Sequence, residues 1–207
     1  MTADNFATSV FINCPFDGAY KPILHAIVFT VLACDHTPCS ALQERDAGEI
    51  RLRKIQRLIQ QSRFGIHDIS RTQLDPLSRL PRFNIPFELG LDIGARQYGS
   101  GRLKSKVILV FDELPYRYQQ FLSDISGQDI SAHGNEVSQV IARIRSWLDA
   151  NRHPDALPLP GKILLNQRYD LFQIDLPNLC RQAGLEHGDL EFNDLSYLAA
   201  EWIAQEV

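Results

Sequence analysis

The sequence has no long hydrophobic run and no excess of basic residues, and each absence excludes a class of protein. No stretch reaches the roughly 18 apolar residues of a membrane span, and the longest candidate, residues 23–34, is interrupted by His25. The N-terminus lacks a basic segment followed by an apolar run, so we expect no targeting signal and a cytoplasmic location. The 21 lysines and arginines are outnumbered by 25 acidic residues, giving a net charge of -4. We therefore expect neither a membrane nor a nucleic acid as a partner.

Cysteine is scarce, and its spacing excludes the common metal sites. The four cysteines are Cys14, Cys34, Cys39 and Cys180, and no two of them form a C-x-x-C pair. Cys34 and Cys39 lack the matching second pair that a zinc site requires. We therefore expect free thiols, no metal and no resident cofactor.

The apolar pattern alternates between strands and helices. Residues 106–112 are nearly all apolar, which is typical of a parallel strand buried on both faces. Repeated strand-helix units predict a doubly wound α/β fold with a mostly parallel sheet of about five strands, in which 10–14, 64–68 and 107–111 are adjacent. The predicted strands are 9–14, 37–42, 64–70 and 106–112, and the predicted helices are 20–34, 51–62, 84–96, 116–125 and 136–150.

The C-terminal quarter has a different composition. Pro154, Pro158 and Pro160 mark a linker over residues 151–161. We therefore expect an α/β domain over residues 1–150 and a helical extension over 151–207, with helices near 176–183 and 194–205. Tyr197, Leu198 and Trp202 lie at helical spacing, so the last helix should pack on the main domain or on a second copy, and we expect a homo-oligomer.

Residues 83–96, F-N-I-P-F-E-L-G-L-D-I-G-A-R, contain the most informative carboxylate. Asn84 is a good helix N-cap and Pro86 suits a first helical position, which places Glu88 in the first turn, where the helix dipole favours a negative charge. Gly90 and Gly94 predict close packing against a sheet or a ligand. The same Glu88 placement also suits a purely structural role.

Ligands of an open parallel sheet bind at the carboxyl ends of its strands, at the point where the connections diverge. Asp68 ends the third predicted strand, so it should lie near Glu88 at this edge. His67 precedes it and should face the other side of the sheet as a structural residue. The other predicted lining residues are Asn13, Pro15, Phe16, Asp17, Tyr20, Arg71, Arg82 and Asn84.

Three elements together resemble a known group. The first strand leads into Cys14-Pro15-Phe16-Asp17 and Tyr20, a later strand ends in Asp68, and a helix opens with Phe87-Glu88-Leu89-Gly90. Over about residues 9–150, this pattern resembles the nucleoside 2-deoxyribosyltransferase-like and TIR-like group of flavodoxin-type domains. The resemblance implies that Glu88 is the catalytic carboxylate acting on the anomeric carbon of a ribosyl or deoxyribosyl group, and that Asp68 is the accompanying acid.

The chemistry agrees with that role, because an ionised carboxylate stabilises the positive charge that develops on the sugar as a C–N glycosidic bond breaks. Asp68 would bind sugar hydroxyls or handle a proton. Arg71 or Arg82 would bind phosphates, while Phe16 or Tyr20 would stack on a base. The expected substrate is a nucleoside, a nucleotide or an NAD-like molecule.

Several alternatives stay open at this stage. The segment between Asp68 and Glu88 is long, whereas the transferases usually have a shorter, glycine-containing segment there. Hydrolase and transferase activity therefore both stay possible. Asp68 could merely cap its loop, and Tyr20 could only anchor the first helix. A non-catalytic nucleotide-sensing or interaction module, with Glu88 buried against Arg82 or Arg96, is the second function class. A phosphate-accepting signalling domain is disfavoured, because residues 13–15 lack its acidic pair.

Overall fold

A five-stranded parallel sheet lies at the centre of the computed structural model, which describes residues 5–72, 74, 79–81 and 83–205. The strand order is β2-β1-β3-β4-β5, and every neighbouring pair is parallel. This confirms the doubly wound α/β fold, with the strand order of flavodoxin-like proteins. The strands are β1 (Ser9–Asn13), β2 (Thr37–Cys39), β3 (Phe64–Asp68), β4 (Val107–Asp112) and β5 (Ser131–Ala132).

The order of the strands locates the edge at which a ligand would bind. The chain passes from β1 to β2 on one side and then crosses back to β3 on the other, so the connections diverge between β1 and β3. Both strands are buried along their whole length, including the polar residues Ser9, Asn13, His67 and Asp68. The predicted adjacency of β1, β3 and β4 is confirmed.

Helices cover both faces of the sheet. In the described part of the chain they are α1 (Lys21–Ala33), α2 (Arg51–Gln61), α3 (Asn84–Tyr98), α4 (Val137–Ala150), α5 (Lys162–Ala183) and α6 (Phe192–Gln205). Val10 and Ile12 share a core with α1 and α4, whereas Phe11, between them, packs on α2. Val110 and Ile69 form a third apolar cluster with Leu89 of α3. Alternation along the strands therefore separates an α1/α4 face from an α2/α3 face.

The last two helices form an additional layer over α1. Phe29 of α1 stacks on Phe172 of α5, with 5.2 Å between ring centroids, and its ring lies 5.9 Å from that of Trp202. The Trp202 indole N–H donates to Asp175 Oδ2 at 2.9 Å. The last helix thus docks on the main body as its spacing predicts, although Tyr197, expected on the same face, is exposed.

Other boundaries differ from the sequence-based expectations. Helix α5 begins at Lys162 and continues through Pro177, because Leu165, Tyr169, Phe172, Leu176 and Cys180 give it a continuous buried face. Residues 116–125 form separate 3-10 turns, Arg117–Gln120 and Ser123–Ile125, in place of the predicted helix. Among the residues described, no helix is long and apolar enough to cross a membrane.

Candidate functional site

Glu88 lies one turn further into α3 than the sequence predicts. The helix already includes Asn84, which is exposed and whose side chain caps nothing, so Glu88 falls in the second turn. The free backbone N–H groups and the positive end of the dipole are concentrated in the first turn. The N-terminus of α3 therefore stabilises the negative charge of Glu88 less than expected.

The Glu88 carboxyl group is buried on the α2/α3 side of the sheet. Only 5% of the residue is exposed. Its Oε1 lies 4.0 Å from a guanidinium nitrogen of Arg51, the first residue of α2. Burial raises the pKa of Glu88, and the Arg51 charge only partly lowers it. The site therefore holds a desolvated carboxyl group beside a single loosely placed cation.

Asp68 lies at the end of β3 and is completely buried. Its Oδ1 accepts the backbone N–H of Ser70 at 2.9 Å. Its Oδ2 accepts the Tyr20 hydroxyl hydrogen and lies 3.0 Å from His133 Nε2. Burial opposes ionisation of this carboxyl group, but His133, Ser70 and Tyr20 outweigh it and lower the Asp68 pKa. Asp68 is therefore held as an anion by groups from three loops.

His133 has a defined tautomer in this cluster. Its Nδ1 accepts the backbone N–H of Asn135 at 2.9 Å, so the proton of the neutral ring resides on Nε2, the nitrogen that lies 3.0 Å from Asp68 Oδ2. The His133 ring also meets Phe111 edge-on, at 5.8 Å between centroids. Sequence analysis missed this residue because it follows β5, a strand too short to give an apolar pattern.

A second buried polar network runs beneath Glu88 on the other face of β3. Asn13 Nδ2 donates to His67 Nδ1 at 3.0 Å, and His67 Nε2 donates to Asp92 Oδ2 at 3.0 Å. Lys106 Nζ lies 3.0 Å from Asp92 Oδ1. Despite its burial, the pKa of Asp92 is lowered by His67 and Lys106. Asp92 lies one helical turn after Glu88, so this network fixes the position of α3.

His67 and Asn13 both belong to this buried network and have structural roles in it. His67 is fully buried on the face opposite Asp68, as the alternation of the strand predicts. Asn13, predicted to bind substrate, is buried and directed at His67, and it also donates to the Ile85 carbonyl at 3.4 Å. It therefore connects β1 to the start of α3.

The loop after β1 forms the rim of the site. Asp17 Oδ1 accepts the backbone N–H of Tyr20 at 3.1 Å, and its Oδ2 lies 3.3 Å from Arg71 Nε. Phe16 has an exposed ring, whereas Pro15 is buried. Tyr20 is only 1% exposed, so its ring offers no face to a base, contrary to expectation. Arg82 lies outside the described residues.

The side chains of Glu88 and Asp68 have different partners. Glu88 belongs to the α2/α3 face, while Asp68 points toward α1 and His133. No hydrogen bond or ion pair connects these two residues, both of which are described. Consecutive side chains of β3 alternate between the two faces of the sheet, so it is His67, through Asp92, that contacts α3.

Two arginines missed by the sequence complete the edge. Arg51, at the start of α2, lies 4.0 Å from the Glu88 carboxyl group. Arg117 donates to Asp112 Oδ1 at 2.8 Å, to Thr72 Oγ1 at 2.9 Å and to the Ile69 carbonyl at 3.0 Å. It therefore ties the end of β4 to the loop after β3.

The expected glycine packing is also absent. A Cβ added at Gly90 meets no atom within 4 Å, and at Gly94 it would meet only Tyr98, at 4.0 Å. Gly65 on β3 is packed tightly against α3, since a Cβ there would lie 2.3 Å from Asp92 Oδ2. The close approach is thus between β3 and the buried acid of α3.

Comparisons with known proteins identify no relative. No family model matches the chain, and neither the curated proteins nor the solved structures give a significant match. Within the described residues, no group of His, Cys, Asp or Glu side chains is arranged to hold a metal ion.

Proposed function

We propose that the carboxyl edge between β1 and β3 binds a nucleoside, nucleotide or NAD-like substrate and cleaves or transfers its N-glycosidic bond. The observation that carries this proposal is the Glu88 carboxyl group, desolvated at the point where the strand connections diverge and faced by a distant cation. A carboxylate stabilises a developing oxocarbenium ion more strongly when water is excluded around it. A raised Glu88 pKa is a feature shared by many functional carboxyl groups.

The reaction follows from the charge on Glu88. A Glu88 oxygen attacks the anomeric carbon as the C–N bond breaks, and the bonding electron pair leaves with the base. The base of a nucleoside then takes up a proton, whereas the cationic base of NAD leaves as a neutral molecule without one. Water, or the nitrogen of a second base, next displaces Glu88 from the sugar and restores the free carboxylate. The first outcome is hydrolysis and the second is transfer.

Other residues receive roles that match their positions. The exposed Phe16 ring is available to stack on a base. Arg71, held at the rim by Asp17, suits a phosphate group. Asp68 acts as a positioning residue, because its buried carboxylate joins the loops that carry Tyr20, Ser70 and His133.

The test uses free-base release from a panel of nucleosides, nucleotides and NAD. We expect Glu88→Gln to lower the turnover of any active substrate by at least about a hundredfold, the range seen when one charge-stabilising group is removed. Glu201→Gln removes an exposed helical glutamate on α6 and should leave turnover unchanged. Full activity in a folded Glu88→Gln variant would exclude Glu88 from the chemistry.

A second candidate is a non-catalytic nucleotide-sensing or interaction module. The low exposure of Glu88 and its separation from Asp68 favour this alternative. It predicts that nucleotides from the same panel bind, as measured by calorimetry, while none of them releases a base. Base release by the wild-type protein that Glu88→Gln abolishes would exclude it.

A further inference from the structure

Helix α5 presents an apolar face on each of its two sides. The inner face packs on the core through Leu165, Tyr169, Phe172, Leu176 and Cys180. The outer face carries Leu164, Leu171 and Ile174, which are 50%, 50% and 73% exposed, and no described element covers it. An amphipathic surface helix normally places charged and polar residues there.

The outer residues follow the spacing of a coiled-coil seam. Leu164, Gln167, Leu171, Ile174 and Asn178 are separated by three, four, three and four residues, the pattern of positions that meet a second helix. We call these five residues the α5 seam. Because the inner face already fixes α5 as a helix, a partner helix can bind without first ordering it.

The polar residues of the seam and its flank identify the partner helix. Arg168 and Asp175 lie on the same side of the seam, one on each side of its centre at Leu171. A two-fold axis between Leu171 and Ile174 brings Arg168 of one copy toward Asp175 of the other, whose Oδ2 also accepts the Trp202 indole N–H of its own chain. It also places Leu171 against Ile174, and Gln167 against Asn178. Parallel pairing would instead bring Asp175 of one copy toward Asp170 of the other, two like charges.

We infer that α5 pairs with α5 of a second copy of this chain, antiparallel and through the α5 seam. Around the axis, apolar residues meet apolar residues, amides meet amides, and a cation meets an anion, so the central part of the seam is complementary to itself. A single pair of helices gives a small interface, for which we expect a dissociation constant of about 1–100 µM. This inference does not depend on the proposed function.

Sedimentation equilibrium of the full chain from about 1 to 300 µM tests the inference. We expect a monomer-dimer equilibrium, and we expect Leu171→Glu with Ile174→Glu to raise the dissociation constant by at least about 30-fold. Tyr98→Glu, at an exposed position on α3, adds one negative charge away from the seam and should leave dimerisation unchanged. Circular dichroism checks that each variant keeps its helical content.

A charge-swapped variant shows whether the partner is a second copy. Leu171→Lys with Ile174→Lys should be monomeric alone, and an equimolar mixture with the double Glu variant should form a mixed dimer. A wild-type protein that stays monomeric over the whole range would overturn the inference. A dimer that persists in the double Glu variant would also overturn it, because the contact would then lie elsewhere.

Discussion

Glu88 carries a carboxyl group at a place where the protein does little to stabilise its charge. It lies beyond the first turn of α3, it is buried, and Arg51 approaches only to 4.0 Å. Asp68, in contrast, receives the Ser70 amide and the Tyr20 hydroxyl and faces His133. The pKa of Asp68 is therefore lowered, whereas that of Glu88 is raised. Of these two acids, only Glu88 has a negative charge that its surroundings stabilise weakly.

The raised Glu88 pKa predicts a pH-dependent stability difference. A group with a raised folded pKa stabilises the fold below its unfolded pKa and loses that contribution as the pH rises through the folded pKa. At neutral pH we therefore expect Glu88→Gln to be more stable than the wild type. The difference should vanish at pH values below the ordinary glutamate range, near 4.5.

Urea unfolding of both proteins at several pH values measures this difference. Asp68 and Asp92 lose their own stabilising contributions at low pH in both proteins. Subtracting the two free energies of unfolding removes these shared contributions and leaves that of Glu88. Equal stability at neutral pH would show that burial does not disfavour the Glu88 charge.

At the scale of elements, β3 and α3 pack closely at Gly65, a glycine that the sequence analysis did not single out. Gly65 leaves room for Asp92, which in turn receives His67 and Lys106. A side chain at residue 65 would displace a buried acid from its partners, and such displacement is expensive in a closely packed interior.

Gly65→Ala is therefore expected to lower the free energy of unfolding by about 2 kcal/mol or more. The matched control is Gly90→Ala on α3, where an added methyl group meets nothing within 4 Å. That substitution should stabilise the protein by about 0.5–1 kcal/mol through helix propensity. Chemical denaturation of both variants checks the opposite signs, and equal effects would show that the Gly65 contact is unimportant.

The sequence predicted some elements well and others poorly, for physical reasons. Strand β4 was located because a strand buried on both faces is nearly continuously apolar, and β1 and β3 were located by shorter apolar runs. Strand β5 has only two residues, too few for any period to be visible, and His133 was lost with it. Glu88 and Asp68 were both placed at the carboxyl edge, but strand alternation, which had been applied to His67, was not extended to separate Asp68 from α3.

At the scale of the whole molecule, the sheet and the C-terminal helices enclose α1 between them. Nine of the 13 residues of α1 are buried, and the outer side of Phe29 is covered by Phe172 and Trp202. We therefore expect one cooperative unfolding transition for the sheet and the two last helices together.

Trp202→Ala tests this coupling. The substitution leaves a cavity over Phe29 and removes the donor to Asp175, so we expect a loss of about 3–5 kcal/mol. Tyr197→Ala on the exposed side of α6 is the control and should change stability by less than about 0.5 kcal/mol. Coincident transitions by tryptophan fluorescence and circular dichroism are expected, and separate transitions would show that α6 unfolds independently.

The enclosure of α1 also governs how the chain must be made. A ribosome releases the chain from its N-terminus, so α1 emerges long before the residues that cover its outer side. Until α5 and α6 have left the exit tunnel, the nascent protein displays Phe29 and its apolar neighbours to the solvent. This transient surface is of the kind that chaperones bind and that drives aggregation when synthesis stalls.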